Sequence, residues 1–429
     1  MTEWGATSPS VSRWLHPWWP DLPSALVSDP ACAVLGWAAG GGMAVTGCVP
    51  GCPDIVPAAA FGALEDSLRA LSWLTGLTGS AVDLDAGVVI GGRAATRGLR
   101  SAGRVSAGGM TRLLRAADEW FAISLCRPDD VASVPALIGD RGTDDPWFDV
   151  TEFARSTTAA AVVEQAQLLG IAAATLGDPI GGAAPAAPFE VTEIASSTSS
   201  LSIADMTVVD LSSLWAGPLC GHVLRQAGAR VIKVESTGRP DGARIGDPAL
   251  FDWLHRGQEF RDIDFTSSAG RDALAELITD ADVVIEASRP RALESLGLSP
   301  DQLVHRPGRI WVSITGGGRS RPMQVDFGDD AAVGGGLVGW RDDGPVFCAD
   351  AVADPLSGIT AALAVTAAAH AGGGVLVDLS MTNTAAAFAA SELRCPGVHL
   401  VRQADGGAIV DCTHEKRSQP VLPPAAPPC

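Results

Sequence analysis

Tyrosine is absent from the 429 residues, which removes one possible general acid. Charged residues are scarce at 18%, while apolar ones make up 47%. Such a chain can bury a core and is not disordered by composition. Basic residues are in deficit: 30 Lys and Arg stand against 49 Asp and Glu, a net charge of −19. A phosphate-backbone binder carries the opposite sign, so no nucleic-acid partner is expected. An anionic ligand would need a local group of cations. A long unbroken apolar run is also missing. The most apolar segment, 359–377, holds His370 and the break Gly372-Gly373-Gly374. It reads as a buried helix leading to a strand, with no membrane partner. No secretory signal is seen and the nine cysteines are odd in number, which predicts a reduced, cytoplasmic protein. Cys48 and Cys52 lie four apart without a second Cys/His pair at zinc spacing. The thiols therefore read as buried or idle, and no metal is expected.

The length predicts two or three domains. Residues 31–77 read as glycine-rich turns and a helix, "FGALEDSLRALSWL". Short β-like runs follow, "AVDL" (81–84), "GVVI" (87–90) and "EWFAISL" (119–125), then a helix at 157–175. A Gly/Pro/Ala/Ser-rich stretch at 177–202 reads as a connector. The second half alternates: strands at 207–211, 230–235, 282–287, 309–314 and 374–379, helices at 217–228, 268–280, 299–305 and 355–371. Continuous Val/Ile runs separated by helices imply an α/β fold, a parallel doubly wound sheet covered on both faces. A faint internal repeat pairs "AAGGGMAVTG" (38–47) with "AAVGGGLVGW" (331–340). Twenty residues beyond the first glycine of each triplet stand Ala60 and Asp354.

The segment "VVDLSSLWAGPLCGHVLRQAGARVIKVES" (208–236) runs strand, turn, helix, strand. It has no G-x-G-x-x-G, so dinucleotide binding is not expected, although Glu235 ends the second strand where a ribose-binding acid would stand. Ala216 and Gly217 still allow a ligand close to the backbone at a helix N-terminus, with Pro218 in the first turn. Beyond it, Arg239, Arg244, Arg256 and Arg261 fall near one strand end. They form either surface charge or an anion site. Asp354 precedes Pro-Leu-Ser and reads locally as a helix cap or as a carboxylate at a helix N-terminus. Asp350 is its neighbour and competitor.

These segments resemble the class III CoA-transferases (CaiB/BaiF type), the group that includes formyl-CoA transferase, carnitine CoA-transferase and α-methylacyl-CoA racemase. The opening segment is similar to the family's LDLS-x3-AGP, helix, LGA-x-VIKVE. "ADVVIEASRPRALESLGLSPDQL" (281–303), "PGRIWVSITGGG" (307–318) and "VADPLSGITAALAV" (352–365) continue the likeness in the same order. The resemblance implies a Rossmann-like domain at 205–390 that binds coenzyme A as its substrate or acyl-CoA. It implies Ala216, Gly217, Arg244, Arg256, Arg289, Gly316 and Gly317 around CoA. It also makes Asp354 the nucleophile that passes through an aspartyl-CoA thioester, between an acyl-CoA and a carboxylate acceptor.

The chain departs from the family pattern. "HRGQ" (255–258) lacks the usual Asn and Lys, and Ala287 replaces an Asn. The racemase branch places a His where Asp329 stands, in "FGDDAA" (327–332), which argues against a racemase, since that reaction needs two acid/base groups. The family's smaller α+β domain has its likeness upstream. "GRVSAGGMTRLLRAADEWFAISLCRPDD" (103–130) is similar to its glycine loop and strand, and Gly108 and Gly109 would cover the acyl site or form a plain hairpin turn. The order is therefore permuted: a degenerate half at 1–176, a linker at 177–204, the sheet domain at 205–390 and a tail at 391–429. Three readings follow: an acyl-CoA:carboxylate CoA-transferase, a 2-methylacyl-CoA racemase, or a degenerate CoA-binding subunit paired with a homologue. The resemblance implies a dimer, either of two copies or with a homologue.

Overall fold

The computed structural model describes residues 9–16, 18, 31–47, 54–55, 57–179, 187–404 and 407–428; Cys48 and Cys52 lie outside them. The Ala/Leu-rich start of the chain forms helices α1 (Ala33–Ala39) and α2 (Ala58–Thr78). The run "GVVI", expected to be β-like, lies instead inside helix α3 (Ala86–Arg97). Asp85 caps that helix by accepting a bond from the Val88 amide at 2.9 Å, and Gly98 ends it in the left-handed conformation at φ 62°. A four-residue apolar run has no period of its own, so these two caps decide. "AVDL" forms no strand either.

A small antiparallel sheet follows, β1 (Thr111–Arg115), β2 (Trp120–Ser124) and, after helix α4 (Ala159–Leu168), β3 (Ala173–Thr175). The helix expected over 157–175 thus stops early. Gly170, at φ 76°, turns the chain back and Ile171 enters the core of this sheet.

The second half builds one seven-stranded sheet. Its elements in chain order are β4 (Phe189–Glu193), β5 (Thr207–Asp210), α5 (Ala216–Gln226), β6 (Arg230–Ser236), β7 (Glu259–Ile263), α6 (Ser268–Asp280), β8 (Val283–Glu286), β9 (Ile310–Thr315), α7 (Gly328–Gly334), the hairpin β10 (Val338–Arg341) and β11 (Gly344–Phe347), α8 (Ala353–His370), β12 (Val375–Ser380) and α9 (Met381–Ala389). Hairpin β10–β11 stands outside the sheet, whose strand order is β4-β12-β9-β8-β5-β6-β7. Six strands are parallel, and β4 joins antiparallel at the edge from within the expected connector. The parallel strands run in the order 3-2-1-4-5-6 of dinucleotide-binding sheets, with the reversal between β5 and β8. Val208 and Val283 face the core that includes α5 and α8, while Val209 and Val284 face the one that includes α6. Burial on both faces explains why the strands read as continuous apolar runs. The helix expected at 299–305 is only a turn: Val304 is fully exposed, so no core face holds a helix there.

Every residue of α8 except Asp354 and His370 is buried. The helix lies between α5 and α2. A Cβ on Gly358 would sit 2.6 Å from the Ala216 carbonyl oxygen and 2.9 Å from Leu219 Cβ, so glycine permits that approach. Residues 399–420 form a last antiparallel sheet, β13 (His399–Ala404), β14 (Gly407–Cys412) and β15 (Arg417–Pro420), packed on α1. Among the described residues no helix is long and apolar enough to cross a membrane.

Candidate active site

Asp354 stands in the first turn of α8, partly open to solvent in an otherwise buried helix. The loop before it is strained: Ala349 and Ala351 adopt positive φ, 52° and 46°, on either side of fully buried Asp350. Asp350 Oδ1 accepts from Arg93 Nη1 at 2.7 Å, and its Oδ2 has no hydrogen-bond partner. Asp329 Oδ1 accepts from the Ala351 amide at 2.9 Å. Gly328, at the start of α7, is wedged between the Ala351 carbonyl and the Asp354 carboxylate; a side chain there would clash with both. Three carboxyls thus converge on one guanidinium.

The glycine turn of the small sheet closes over this group. A Cβ on Gly108 would lie 3.7 Å from Arg93 Nη2 and 3.9 Å from Asp350 Oδ1. Gly109 holds φ 81° and donates its amide to the Ser106 carbonyl at 2.8 Å. Thr111 reaches Asp329 Oδ2 at 3.5 Å, and Ser124 donates to Asp330 Oδ1 at 2.6 Å.

Burial pushes the Asp354 carboxyl up to about 7; Arg93 and the Gly328 amide pull it down, while Asp329 and Asp350 push it further up. Asp329 is raised to about 6, by burial first and then by Asp350. Burial also raises Asp350, against the opposing pull of Arg93. One cation cannot hold three buried anions ionised, so the group retains protons near neutral pH. Asp326 and Asp330, next along the chain, are raised by burial as well.

The other residues singled out from the sequence take separate places. Ala216 and Gly217 open α5 and pack on the first turns of α8, with Gly217 against the Ser212 side chain. Arg244 is held by Glu235, with Nε 3.1 Å from each carboxylate oxygen, and lies over the rings of Phe251 and Phe260. Exposed Arg256 reaches the Pro428 carbonyl at 3.3 Å. Burial, then the cations Arg291, Arg127 and Arg239, lower the pKa of Arg289. Among the described residues Arg239, Arg289 and Arg291 form no ion pair. The Cβ positions of Gly316 and Gly317 are taken by the side chains of Asp326 and Gln324. His222 is buried beside Trp253, its ring nitrogen 2.6 Å from Gln226 Nε2, and burial lowers it to about 4.

A cavity of about 260 Å³ lies between α4 and α9, lined by residues that include Gln167, Arg321, Gln324 and Thr382. Gln324 and Thr382 both donate to Asp326, at 2.6 and 3.2 Å. Sequence reasoning missed Arg93 and Gly328. The caps Asp85 and Gly98 were the available signal for the helix that carries Arg93. The thiols read from the sequence as buried or idle, yet Cys32, Cys395 and Cys412 meet at His399. The Cys395-x3-His399 spacing carried that signal.

Residues 203–406 match the model of CoA-transferase family III. Among curated relatives, an acyl-CoA transferase of Fusarium pseudograminearum is 32% identical over 213 residues, 44% of this chain and 47% of that one. The succinyl-CoA–D-citramalate CoA-transferase of Chloroflexus aurantiacus is 31% identical over 194 residues, 41% of this chain and 48% of the other. This chain spans about half the length of these curated relatives. A crystal structure of a CaiB/BaiF family protein from Brucella suis aligns at 26% identity with a TM-score of 0.44, over 49% of this chain and 66% of that one. The likeness carried by four collinear segments is borne out: through residues 203–406 the chain is similar to CoA-transferase family III.

Proposed function

We propose that the protein transfers coenzyme A from an acyl-CoA to a carboxylate, with Asp354 as the nucleophile. The observation that carries this reading is the exposure of Asp354: it is the partly open carboxylate at the head of an otherwise buried helix, within the field of Arg93, over whose pair with Asp350 the Gly108 turn lies. A carboxylate at a helix N-terminus attacks a thioester without a partner base. One Asp354 oxygen bonds to the acyl carbon, the C–S bond breaks, and CoA leaves as thiolate from an acyl-aspartyl anhydride. The thiolate then attacks the aspartyl carbon and releases the first carboxylate, leaving aspartyl-CoA. The acceptor carboxylate repeats the sequence in reverse and regenerates Asp354. Each step conserves charge, and no proton need move.

The anionic end of CoA is assigned to the carboxyl end of the sheet. Arg289 supports this, since it and Arg239 and Arg291 lack ion pairs among the described residues, and burial and the neighbouring cations lower the pKa of Arg289. Arg244 contributes less in this reading, because Glu235 holds it. The sheet domain at 205–390 is then a Rossmann-like unit, and the half at 1–176 its permuted companion. The packing of α2 on α8 supports that division. The two helices follow the two glycine triplets, with Ala60 and Asp354 each in a first turn.

Intact mass after exposure to succinyl-CoA and related acyl-CoAs tests the nucleophile. The expected product is a CoA-sized adduct removed by hydroxylamine and lost in Asp354→Ala. An adduct that survives in Asp354→Ala sinks the assignment. Calorimetry tests the cation group: CoA should bind more tightly than dephospho-CoA, the difference shrinking in Arg289→Gln and at high salt. Equal affinities would remove the phosphate role.

A second reading has its own observation. Asp329 fills the racemase histidine position, lies beside Asp354 and is raised to about 6, where a carboxyl exchanges protons at neutral pH. Deuterium entering the α-carbon of a 2-methylacyl-CoA faster than CoA transfer would establish racemisation. Transfer without α-deuterium is the outcome expected here.

A further inference from the structure

Far along the chain from Asp354, four soft ligands meet. The donor atoms of Cys32, Cys395, His399 and Cys412 all lie within 4.8 Å of one another. Cys32 Sγ is 3.0 Å from His399 Nε2, and Cys395 Sγ is 3.6 Å from Cys412 Sγ. A zinc ion with sulfur ligands at about 2.3 Å, tetrahedrally placed, separates its sulfurs by about 3.8 Å. The four donors are therefore close enough together to share one such ion.

We propose that Cys32, Cys395, His399 and Cys412 bind one zinc ion that fastens the C-terminal sheet to helix α1. Each ligand is held by a distinct local structure. His399 opens β13 and Cys412 closes β14, and the antiparallel register sets them directly opposite. Cys395 precedes His399 by four residues and reaches back over the same strand end. Cys32 is the residue that precedes α1, and its amide donates to Glu415 at 2.6 Å. The Glu415 amide in turn lies 3.5 Å from Cys412 Sγ, the amide–sulfur contact that supports a metal-bound thiolate.

The ligand set selects the metal and the role. Three thiolates and one imidazole suit tetrahedral zinc, and four protein ligands leave no open position for a substrate. The site is structural. Binding converts three thiols to thiolates and releases three protons, while neutral His399 coordinates through Nε2. A disulfide is the competing use of these atoms. It would consume two sulfurs and leave a third thiol and an imidazole packed together with no shared partner.

The position of the site gives it a consequence. Beyond β15 the chain crosses α1 and α3: the Leu422 amide donates to the Ala38 carbonyl at 2.9 Å, and Pro424 sits against Gly41 and Gly91. Helix α3 also carries Arg93. The metal therefore anchors the segment that overlies the helix holding Arg93.

The test uses the full chain, purified under reducing conditions with zinc present. Native mass spectrometry and elemental analysis should find about one zinc per chain. Exchange with cobalt should give the intense visible bands of tetrahedral cobalt with a sulfur-to-metal charge-transfer band, and the double variant Cys395→Ser/His399→Ala should lose both zinc and bands. The cobalt spectrum of the unaltered chain decides the matter even where a variant fails to fold. Less than about one-tenth equivalent of zinc and no cobalt bands overturn the proposal. A Cys395–Cys412 disulfide found by peptide mapping of the purified chain does so too.

Discussion

At the residue scale the site turns on how many charges one arginine can serve. Arg93 pairs with Asp350 at 2.7 Å and also acts on Asp354 and Asp329. Burial and the neighbouring carboxyls, set against Arg93, leave Asp354, the proposed nucleophile, half-protonated near neutral pH, since its pKa is raised to about 7. Only the ionised carboxylate attacks, so kcat/KM should rise with pH and level off above about 7. Arg93 pulls that value down, and Arg93→Met should move the acid limb to higher pH. An unmoved limb would show that Asp354 does not feel Arg93. The same substitution strands Asp350 without its cation. Breaking a pair with a fully buried partner costs about 3–5 kcal/mol, and urea unfolding measures it. Gly328 acts by size instead: Gly328→Ala should displace the Asp354 carboxylate and remove the adduct, with the chain still folded by circular dichroism.

At the scale of elements, the contact between α5 and α8 sets where Asp354 points. Gly358 meets the Ala216 carbonyl at a distance that no Cβ tolerates. Gly358→Ala should push the helices apart and cost about 1–3 kcal/mol, the range for an overpacked core. Equilibrium unfolding gives the stability. Acyl-CoA turnover should fall further than the folded fraction does, because the first turns of both helices move together. The two ends of α3 show how local signals compete. Its valines and isoleucine suit a strand, yet Asp85 and Gly98 satisfy both helix termini. Asp85→Ala should cost about 1 kcal/mol in the same measurement.

At the scale of the whole molecule, buried acids tie stability to pH. Asp354, Asp329 and Asp326 are each raised by burial, to about 7, 6 and 6, well above the usual carboxylate range. Between the unfolded and folded values the folded chain binds more protons than the unfolded one. Stability therefore falls as pH rises from about 4 to 7, the reverse of a chain rich in salt-bridged carboxylates. Thermal unfolding across that window should show the decline, and Asp354→Asn should flatten it. A melting temperature that climbs over the same interval would contradict the burial of these acids. The net charge of −19 adds self-repulsion in the same direction.

By itself the sequence determined five of the seven strands of the large sheet, and not edge strands β4 and β7. Those five fall within a residue or two of the Val/Ile runs, because burial on both faces writes itself into consecutive positions. It also placed Asp354 at a helix start and carried the family likeness in collinear motifs. It misread "GVVI" and 299–305, where short runs are settled by caps and by available core. Tertiary structure alone decided the partners. Arg93 reaches Asp350 across 257 positions, and Cys32 reaches His399 across 367. The raised carboxyls belong to the same class: desolvation is a property of what packs around a group, and no local pattern of residues encodes it.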